Sequence, residues 1–356
     1  MKKSLLALAV LGTFAGVASA QSTVTLFGIV DLSAKSVKNG SNDALRTMAT
    51  DGINSSRLGF RGVEDLGGGM SAGFWLEAGL AADSGNMGGS NGLAAPTNGS
   101  ANIFNRRSTV SLMGGFGELR LGRDYTPSFW NTTIFDPFGT NGVGSFLNVA
   151  NNALGTNAIT YVRANNSIGY FLPGNIGGLY GQVQVSAQEQ AAVNGNKQTS
   201  GRIGWAGGPV NVALSFGSTD ALSGATEVKF KHNNIGGSYN FGVATIMAQY
   251  DQEKAGALKA TNYLIGAVVP LGQGEIHVSF DKANQSGSAA IDPDDASQIA
   301  VGYVYNLSKR TAMYGTAARI SNKGGATGAN FLIGGGSGAA TGAKSTGYEV
   351  GLRHSF

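Results

Sequence analysis

The chain ends with the segment Tyr348-Glu349-Val350-Gly351-Leu352-Arg353-His354-Ser355-Phe356, in which mainly apolar and polar side chains alternate. Because successive side chains of a β-strand point to opposite faces, this segment predicts a strand with one mainly apolar wall and one polar wall. The ends of soluble chains usually fray in polar surroundings, whereas the last strand of a closed membrane barrel pairs with the first. The segment therefore predicts a barrel with one wall in lipid and the other in water.

The first twenty residues are typical of a secretory signal peptide. Two lysines precede an apolar region, Leu5–Val17, and the small residues Ala18-Ser19-Ala20 form a cleavage site. An N-terminal anchor helix is the alternative, but the apolar stretch is shorter than the roughly 20 residues that a spanning helix needs. We expect a signal peptide over residues 1–20 and a mature chain over 21–356, exported through the Sec pathway to the periplasm.

Composition excludes several classes of function. The chain has no cysteine, which excludes disulfides, thiol catalysis and cysteine-ligated zinc. Removing the two lysines of the signal from 25 Lys+Arg leaves 23 against 21 Asp+Glu, a balance too weak to indicate nucleic acid as a partner. Glycine is abundant, with 57 of 356 residues, and proline is scarce, with 7. That combination is typical of a many-stranded sheet with tight turns.

Short alternating segments recur along the whole chain and predict sixteen strands. They lie at 24–38, 55–66, 71–80, 106–113, 118–125, 166–173, 179–188, 199–207, 209–218, 227–241, 243–253, 261–271, 274–283, 297–307, 311–321 and 346–356. Long connections alternate with short turns, which is the pattern of outer-membrane barrels, and an even count places both termini on the periplasmic side.

The polar faces of these strands carry charges that a packed core would tolerate only as pairs. The charged residues assigned to the polar faces are Arg57, Arg61, Glu77, Arg107, Lys229, Lys231, Glu275 and His277. A water-filled lumen would solvate them, and sixteen strands enclose an aqueous channel where eight would not. The sequence thus predicts an all-β fold, a 16-stranded antiparallel transmembrane β-barrel in the outer membrane.

The longest connection runs from Pro127 to about residue 165 and is unusually apolar. Its large apolar residues are Phe129, Trp130, Ile134, Phe135, Phe138, Phe146 and Leu147. Exposed to solvent, such a segment would present a large apolar patch, and long structured loops usually have a function. We predict that it is the constriction loop and folds inward against the barrel wall; a loop that covers a subunit contact is the alternative.

Arginines are the candidate selectivity residues. Between Pro127 and residue 157 the constriction loop contains one acid, Asp136, and no lysine or arginine. The arginines expected to line the lumen are Arg57, Arg61, Arg107 and Arg120, with Arg163 at the entry to the sixth strand. A ring of arginines is the expected filter of an anion pore. Pairing with the carboxylates of the wall is the alternative role for each of them.

The remaining charged residues indicate little further chemistry. Arg106 and Arg123 have lipid-side parity and are expected at a strand end or an interface. The three histidines, His232, His277 and His354, lie on separate strands without ligand spacing, so we expect neither a metal nor a cofactor. The acidic stretch at residues 292–295 fits a solvated loop tip better than a calcium site.

Several motifs carry a resemblance that covers essentially the whole mature chain. They are residues 21–28 (QSTVTLFG), 56–67 (SRLGFRGVEDLG), 73–77 (GFWLE), 106–112 (RRSTVSL), 119–124 (LRLGRD), 163–166 (RANN), 238–242 (SYNFG) and the final Phe356. In combination they resemble the Gram-negative general porins of betaproteobacteria, in particular the anion-selective porins of the Comamonas group.

The resemblance implies more than the residues show by themselves. It implies a homotrimer, surrounded by outer-membrane lipid and lipopolysaccharide, in which each barrel folds its third external loop inward. It implies passive diffusion of small hydrophilic solutes, with anions favoured by a cluster formed by Arg57, Arg107 and Arg163. It also implies that Phe356 is the signal read by the barrel-assembly machinery.

Two alternatives to a diffusion channel remain at this point. A barrel enzyme, such as an outer-membrane protease or phospholipase, needs a nucleophile or activated water beside a histidine. Neither His277 nor His354 has an evident serine or acid partner in the sequence, which disfavours that class. A channel dedicated to one solute, or an adhesin, is the other alternative.

Overall fold

The computed structural model describes most of the mature chain. The described residues are 23–88, 103–150, 154, 161–187, 197–223, 226–289, 292, 295–323, 331–335 and 342–356. The predicted signal peptide and two of the four residues of the acidic stretch at 292–295 lie outside them, so both interpretations stay predictions.

The described residues form eighteen strands and two short helices. The strands are β1 (Thr23–Asn39), β2 (Leu45–Thr50), β3 (Arg57–Gly67), β4 (Met70–Ala81), β5 (Asn86–Met87), β6 (Arg107–Gly114), β7 (Gly117–Tyr125), β8 (Arg163–Phe171), β9 (Leu179–Ser186), β10 (Gln198–Gly207), β11 (Val210–Ser223), β12 (Thr226–Asn240), β13 (Thr245–Ala255), β14 (Leu258–Leu271), β15 (Gly274–Ser286), β16 (Ala296–Asn306), β17 (Thr311–Asn322) and β18 (Lys344–Ser355). The helices are α1 (Pro127–Ile134) and α2 (Leu147–Ala150), and a 3-10 turn covers Ile333–Gly335.

The strands close into a ring. Each wall strand pairs antiparallel with the next, and β1 pairs with β18 over the register Ile29–Asn39 against Ser345–Ser355. Two backbone hydrogen bonds of 3.0 Å, in opposite directions, join Gly28 to Phe356 beyond that register. The ring leaves no free edge, as a sheet in lipid requires.

Sixteen of the eighteen strands make the wall. β2 pairs with Leu32–Val37 of β1, above the stretch Thr23–Ile29 where β3 pairs with it, and the two residues of β5 pair with β4. The predicted 16-stranded antiparallel barrel is therefore confirmed, with each wall strand within a few residues of its predicted bounds. The two additional strands belong to connections that the sequence predicted as loops.

The two faces of the wall differ as the alternation predicts. On β11, Leu214 is 50% exposed and its neighbour Ser215 is 4% exposed. Large apolar side chains thus cover the outside, where lipid would contact them, and small or polar side chains face the lumen. No helix among the described residues is long and apolar enough to span a membrane.

The assignment of Lys229 and Lys231 to the lumen face was wrong. Both lysines are exposed on the outer face of β12, while Phe230 and His232 on the opposite face are buried. This part of β12 lies near the end of the barrel that carries the long connections. A lysine facing outward is tolerated there because its long side chain can reach the polar boundary of the membrane.

The connection after β7 begins with a capped helix. Thr126 is the N-cap of α1, and its hydroxyl accepts a hydrogen bond from the backbone N–H of Phe129 at 3.2 Å. Pro127 occupies the first turn, where its missing N–H costs nothing. The helix packs against lumen-facing positions of β11 and β12, where Asn131 donates to Asn234 at 2.6 Å.

Beyond α1 the chain continues along the inner wall towards β18. Phe135 lies against Gly236 of β12, where an added Cβ would come within 2.3 Å of its ring. Further on, the backbone N–H of Val143 donates to Glu349 of β18 at 2.9 Å, and Gln298 of β16 donates to the carbonyl of Ser145 at 3.0 Å. Residues 127–150 thus lie along the arc from β9 to β18, and on the arc from β3 to β8 they contact Tyr125 at the end of β7.

The buried apolar side chains lie between this segment and the wall. Phe146 and Val149 contribute from the segment, Leu154 contributes from the chain that follows it, and Phe230 and Leu264 contribute from β12 and β14. Burial of these side chains removes the apolar patch that the segment would otherwise expose.

The closing strand generates a prediction. An alanine Cβ at Gly28 would lie 2.3 Å from the ring of Phe356 and 2.9 Å from the carbonyl oxygen of Arg57. We expect Gly28→Ala to destabilise the barrel by about 1–3 kcal/mol, which is typical of overpacking. The measurement is the temperature at which the heat-modifiable electrophoretic mobility of the folded barrel is lost. Gly315→Ala is the control, since its nearest neighbours would lie 3.8 Å away; equal midpoints for the two variants would contradict the prediction.

Candidate pore constriction

The arc of the wall from β3 to β8 carries a cluster of three arginines near one carboxylate. Glu77 of β4 accepts from Arg106 at 2.6 Å and forms an ion pair with Arg57 at 3.3 Å. The indole N–H of Trp75 donates to the other oxygen of Glu77 at 3.0 Å. Arg163, at the start of β8, joins the cluster through Tyr125.

Tyr125 connects the arginine cluster to α1. Its hydroxyl accepts from Arg106 at 2.5 Å and from Arg163 at 2.6 Å, and the guanidinium carbon of Arg163 lies 4.3 Å from its ring centre. The same ring stacks on Phe129 of α1, with centroids 5.4 Å apart and planes 13° apart. One aromatic side chain therefore holds two arginines and touches the segment opposite them.

A second group of charges, the lower group, lies on β6 and β7. Arg120 makes a bidentate pair with Glu118, at 2.8 and 2.9 Å, and a further bond of 2.6 Å to Asp124. Arg107 forms an ion pair with Asp124 at 3.5 Å and lies 4.5 Å from the ring centre of Trp75. Two guanidinium groups thus face two carboxylates.

The two groups differ in net charge. Three positive charges against one negative leave a formal +2 on the upper cluster of Arg57, Arg106, Arg163 and Glu77, whereas the lower group is formally neutral. Arg57 is also the most accessible of the paired arginines in the wall, with 22% of its side chain exposed against 16% for Arg107. Of these two groups, the upper cluster is therefore the one that can present net positive charge to the lumen.

Arg106 lies at a strand end, as expected, but the lipid-side parity of Arg106 and Arg123 was wrong. Neither lies on the lipid face: the Arg106 side chain is buried against Glu77, and Arg123 donates to the carbonyl of Asn105 at 2.7 Å. Arg106 precedes the first residue of β6, and the register of β7 against β8 shifts between Gly122 and Asp124. A bulge of this kind re-aims side chains, so strict alternation gives the wrong face.

Arg61 and Asp136 do not belong to the upper cluster. Arg61 is exposed and lies 5.1 Å from the ring centre of Trp75, on the side of the short turns. Asp136 is 4% exposed, and its carboxylate accepts from the backbone N–H groups of Phe138, Thr140 and Phe146 at 2.9 to 3.1 Å. Asp136 therefore organises the turn after α1 from within.

The histidines have partners that the sequence did not reveal. His277 pairs with Glu275, two residues earlier on β15, at 2.9 Å, and His354 contacts the hydroxyl of Thr311 at 2.9 Å. The expectation that His277 has no acid partner was thus wrong. The other nitrogen of His277 is engaged by the carbonyl of Pro137 at 2.5 Å, so the ring holds the loop rather than a nucleophile.

Comparison with known proteins places the chain in a family. A family model described as Gram-negative porin matches residues 7–325. The chain belongs to the Gram-negative porin family. It is 41% identical to outer membrane porin protein 32 of Delftia acidovorans, and the alignment covers 100% of both chains. Its structure superposes on the anion-selective porin from Comamonas acidovorans with a TM-score of 0.81, at 37% identity, over 94% of this chain and 100% of that one.

A more distant relative extends the comparison. Major outer membrane protein P.IB of Neisseria meningitidis is 26% identical over the full length of both chains. Together the comparisons establish an outer-membrane porin, a channel rather than an enzyme, as the sequence predicted.

Asp136 generates a prediction for this porin. Burial raises the pKa of Asp136 from 3.8 to about 6, even though three backbone N–H groups donate to the carboxylate. The pKa of Asp136 is higher in the folded state than in the unfolded state. The contribution of its neutral carboxyl group to stability is therefore complete below about pH 4 and is lost as the pH rises through 6. We expect the free energy of unfolding to fall by about 3 kcal/mol over that range through this group.

The measurement is the unfolding midpoint between pH 4 and pH 7.5 in the wild type and in Asp136→Asn. We expect the variant to show a flatter pH dependence, since it has no carboxyl to ionise. Asp83→Asn, at an exposed acid, is the control and should follow the wild type. Parallel curves for the wild type and Asp136→Asn would contradict the assignment.

Proposed function

We propose that this porin is an anion-selective diffusion channel whose constriction lies between residues 127–150 and the arginine-bearing arc from β3 to β8. The observation that carries the proposal is the upper cluster, in which Arg57 and Arg106 share the carboxylate of Glu77 and Arg163 joins Arg106 on the hydroxyl of Tyr125. The apolar segment opposite brings one carboxyl, and Asp136 is buried within its own turn. The positive charge thus meets little negative charge across the pore.

The arginines predicted to set selectivity contribute unequally to the positive field in the lumen. Arg57 and Arg163 stay in the filter, and Arg106 joins them because it shares Glu77 and Tyr125 with them. Arg107 and Arg120 belong to the balanced group with Glu118 and Asp124, and they contribute less field. Low-dielectric walls focus the remaining field and raise the local concentration of anions.

Selectivity should follow the net charge of the upper cluster. With screening at about 0.1 M salt, one unit charge about 6 Å from a passing ion raises the energy of a cation and lowers that of an anion by about 0.4 kcal/mol each, or about a threefold change in their permeability ratio. We expect the double variant Arg57→Gln with Arg163→Gln to lower the anion-to-cation permeability ratio by about tenfold. Glu77→Gln should raise the ratio by about threefold. Reversal potentials in a salt gradient across planar bilayers measure both.

Arg319→Gln is the matched control, because it removes the same charge from an exposed position on the outer face of β17. It should leave the ratio unchanged. A double variant that folds and still shows the wild-type reversal potential would refute the filter. Conductance that saturates with one organic anion would instead favour a channel dedicated to that solute.

The assembly and its biogenesis are proposals that rest on the resemblance. We propose that three chains form a homotrimer, and that the barrel-assembly machinery reads Phe356 as its signal. Phe356 is 43% exposed and hydrogen-bonded to Gly28 through its backbone, so its ring is accessible on the outside of the closing strand.

A row of lysines supports lipopolysaccharide as a partner of the outer rim. Lys231, Lys254 and Lys259 are direct cross-strand neighbours on β12, β13 and β14, and all three have outward parity near the end with the long connections. Like charges directly opposite each other destabilise a sheet unless something compensates them. The phosphate groups of lipopolysaccharide would supply that compensation where the outer leaflet meets this rim.

Stabilisation by lipopolysaccharide tests this partner. One lysine near an anionic lipid surface contributes about 1 kcal/mol, so Lys254→Gln should weaken binding about fivefold. The readout is the rise in the unfolding midpoint as lipopolysaccharide is titrated into the detergent-solubilised porin. Lys309→Gln, in the exposed turn at the opposite end of the barrel, is the control. An equal response in both variants would contradict the role of the row.

A further inference from the structure

A buried group of potential metal ligands lies in the wall away from the arginines. His232 on β12 and Asp251 and Glu253 on β13 each place one ligand atom within 4.8 Å of the others. Their side chains are almost inaccessible, with His232 at 1% and both acids at 0%. The register explains the grouping: His232 is paired directly with Glu253, and Asp251 lies two residues further along the same face.

Polar atoms in this group lack partners among the described residues. Asp251 is hydrogen-bonded to Nε2 of His232, but Nδ1 of that ring has no hydrogen-bond partner in the described part of the chain. The same holds there for both carboxylate oxygens of Glu253, with which the hydroxyl of Tyr161 interacts without full hydrogen-bond geometry. Asn262 donates to Asp251 at 3.2 Å, while its own oxygen has no described donor.

The surroundings make these unpaired atoms costly. The ring of Tyr161 stacks on His232, with centroids 3.7 Å apart, and the cross-strand pair Phe230 and Ala255 lies beside the group on the same face. Metal ligation requires both carboxylates in the ionised form, and ionising both leaves this inaccessible group with a net negative charge. An uncompensated buried charge costs several kcal/mol, so a ligand that supplies positive charge would be strongly bound.

We propose that His232, Asp251 and Glu253 bind one divalent transition-metal ion of the zinc class. Two positive charges neutralise the two carboxylates, and the neutral imidazole supplies the nitrogen donor that distinguishes this class from calcium and magnesium, which prefer oxygen alone. Asn262 and Tyr161 then surround the ligands. The ion would join β12 to β13 and, through the stacked Tyr161, hold the return of the constriction loop against the wall.

Zinc binding to the mature porin tests the proposal. The protein is stripped with a chelator, exchanged into detergent and titrated with zinc against a chromophoric chelator of known affinity. We expect one zinc ion per chain in the wild type and at least about a tenfold loss of affinity in Glu253→Gln and in His232→Asn. Glu275→Gln is the matched control, because it alters the other His–carboxylate pair of the described residues, which is partly exposed.

Two results of the zinc titration would contradict the site. A wild type that binds no zinc, or variants of the 232–253 group that bind as tightly as the wild type, would overturn it. Heat-modifiable mobility shows whether each variant is folded. If neither variant folds, anomalous scattering at the zinc edge from wild-type crystals decides, since it must show an ion beside His232 and its absence there refutes the site.

Discussion

The pairing of every backbone polar group is the constraint on which the rest of this structure depends. In lipid no water is available to satisfy a free strand edge, so the sheet has to close. Closure is achieved by β1 and β18, and the bonds between Gly28 and Phe356 extend it to the last residue. Once sixteen strands close, the ring is too wide for its own side chains to fill. An aqueous lumen is thus a consequence of closure at this strand number.

Because the lumen is open, the free width of the channel depends on residues 127–150, which lie against the inner wall. Nothing in a sixteen-stranded wall narrows the channel by itself, so width and charge depend on what is laid against that wall. Glycines at positions 236 and 266 leave the space that the rings of Phe135 and Pro137 occupy. Hydrogen bonds to Asn234 and Glu349 fix the two ends of the segment. The glycines of the wall therefore determine where the segment can lie, as much as the side chains of the segment do.

Most of the fold could be predicted from the sequence because a period of two persists through most of each wall strand. The bounds of β14, for example, were predicted within three residues. The errors arise where that period fails or where register matters. The bulge at Gly122, with φ of 121°, re-aims its neighbours, which hid the position of Arg123. His232 meets Glu253 only through the pairing of β12 with β13, and sequence spacing does not encode pairing.

Tyr125 has a consequence for how such channels can diverge. Its hydroxyl accepts from Arg106 and Arg163, and its ring stacks on Phe129 of α1. A substitution that shifts α1 therefore also shifts two guanidinium groups, and a substitution of either arginine alters the position of α1. In the proposed filter, the bore of the pore and its preference for ions are thus coupled traits. A lineage that widens this channel would be expected to change its selectivity in the same step.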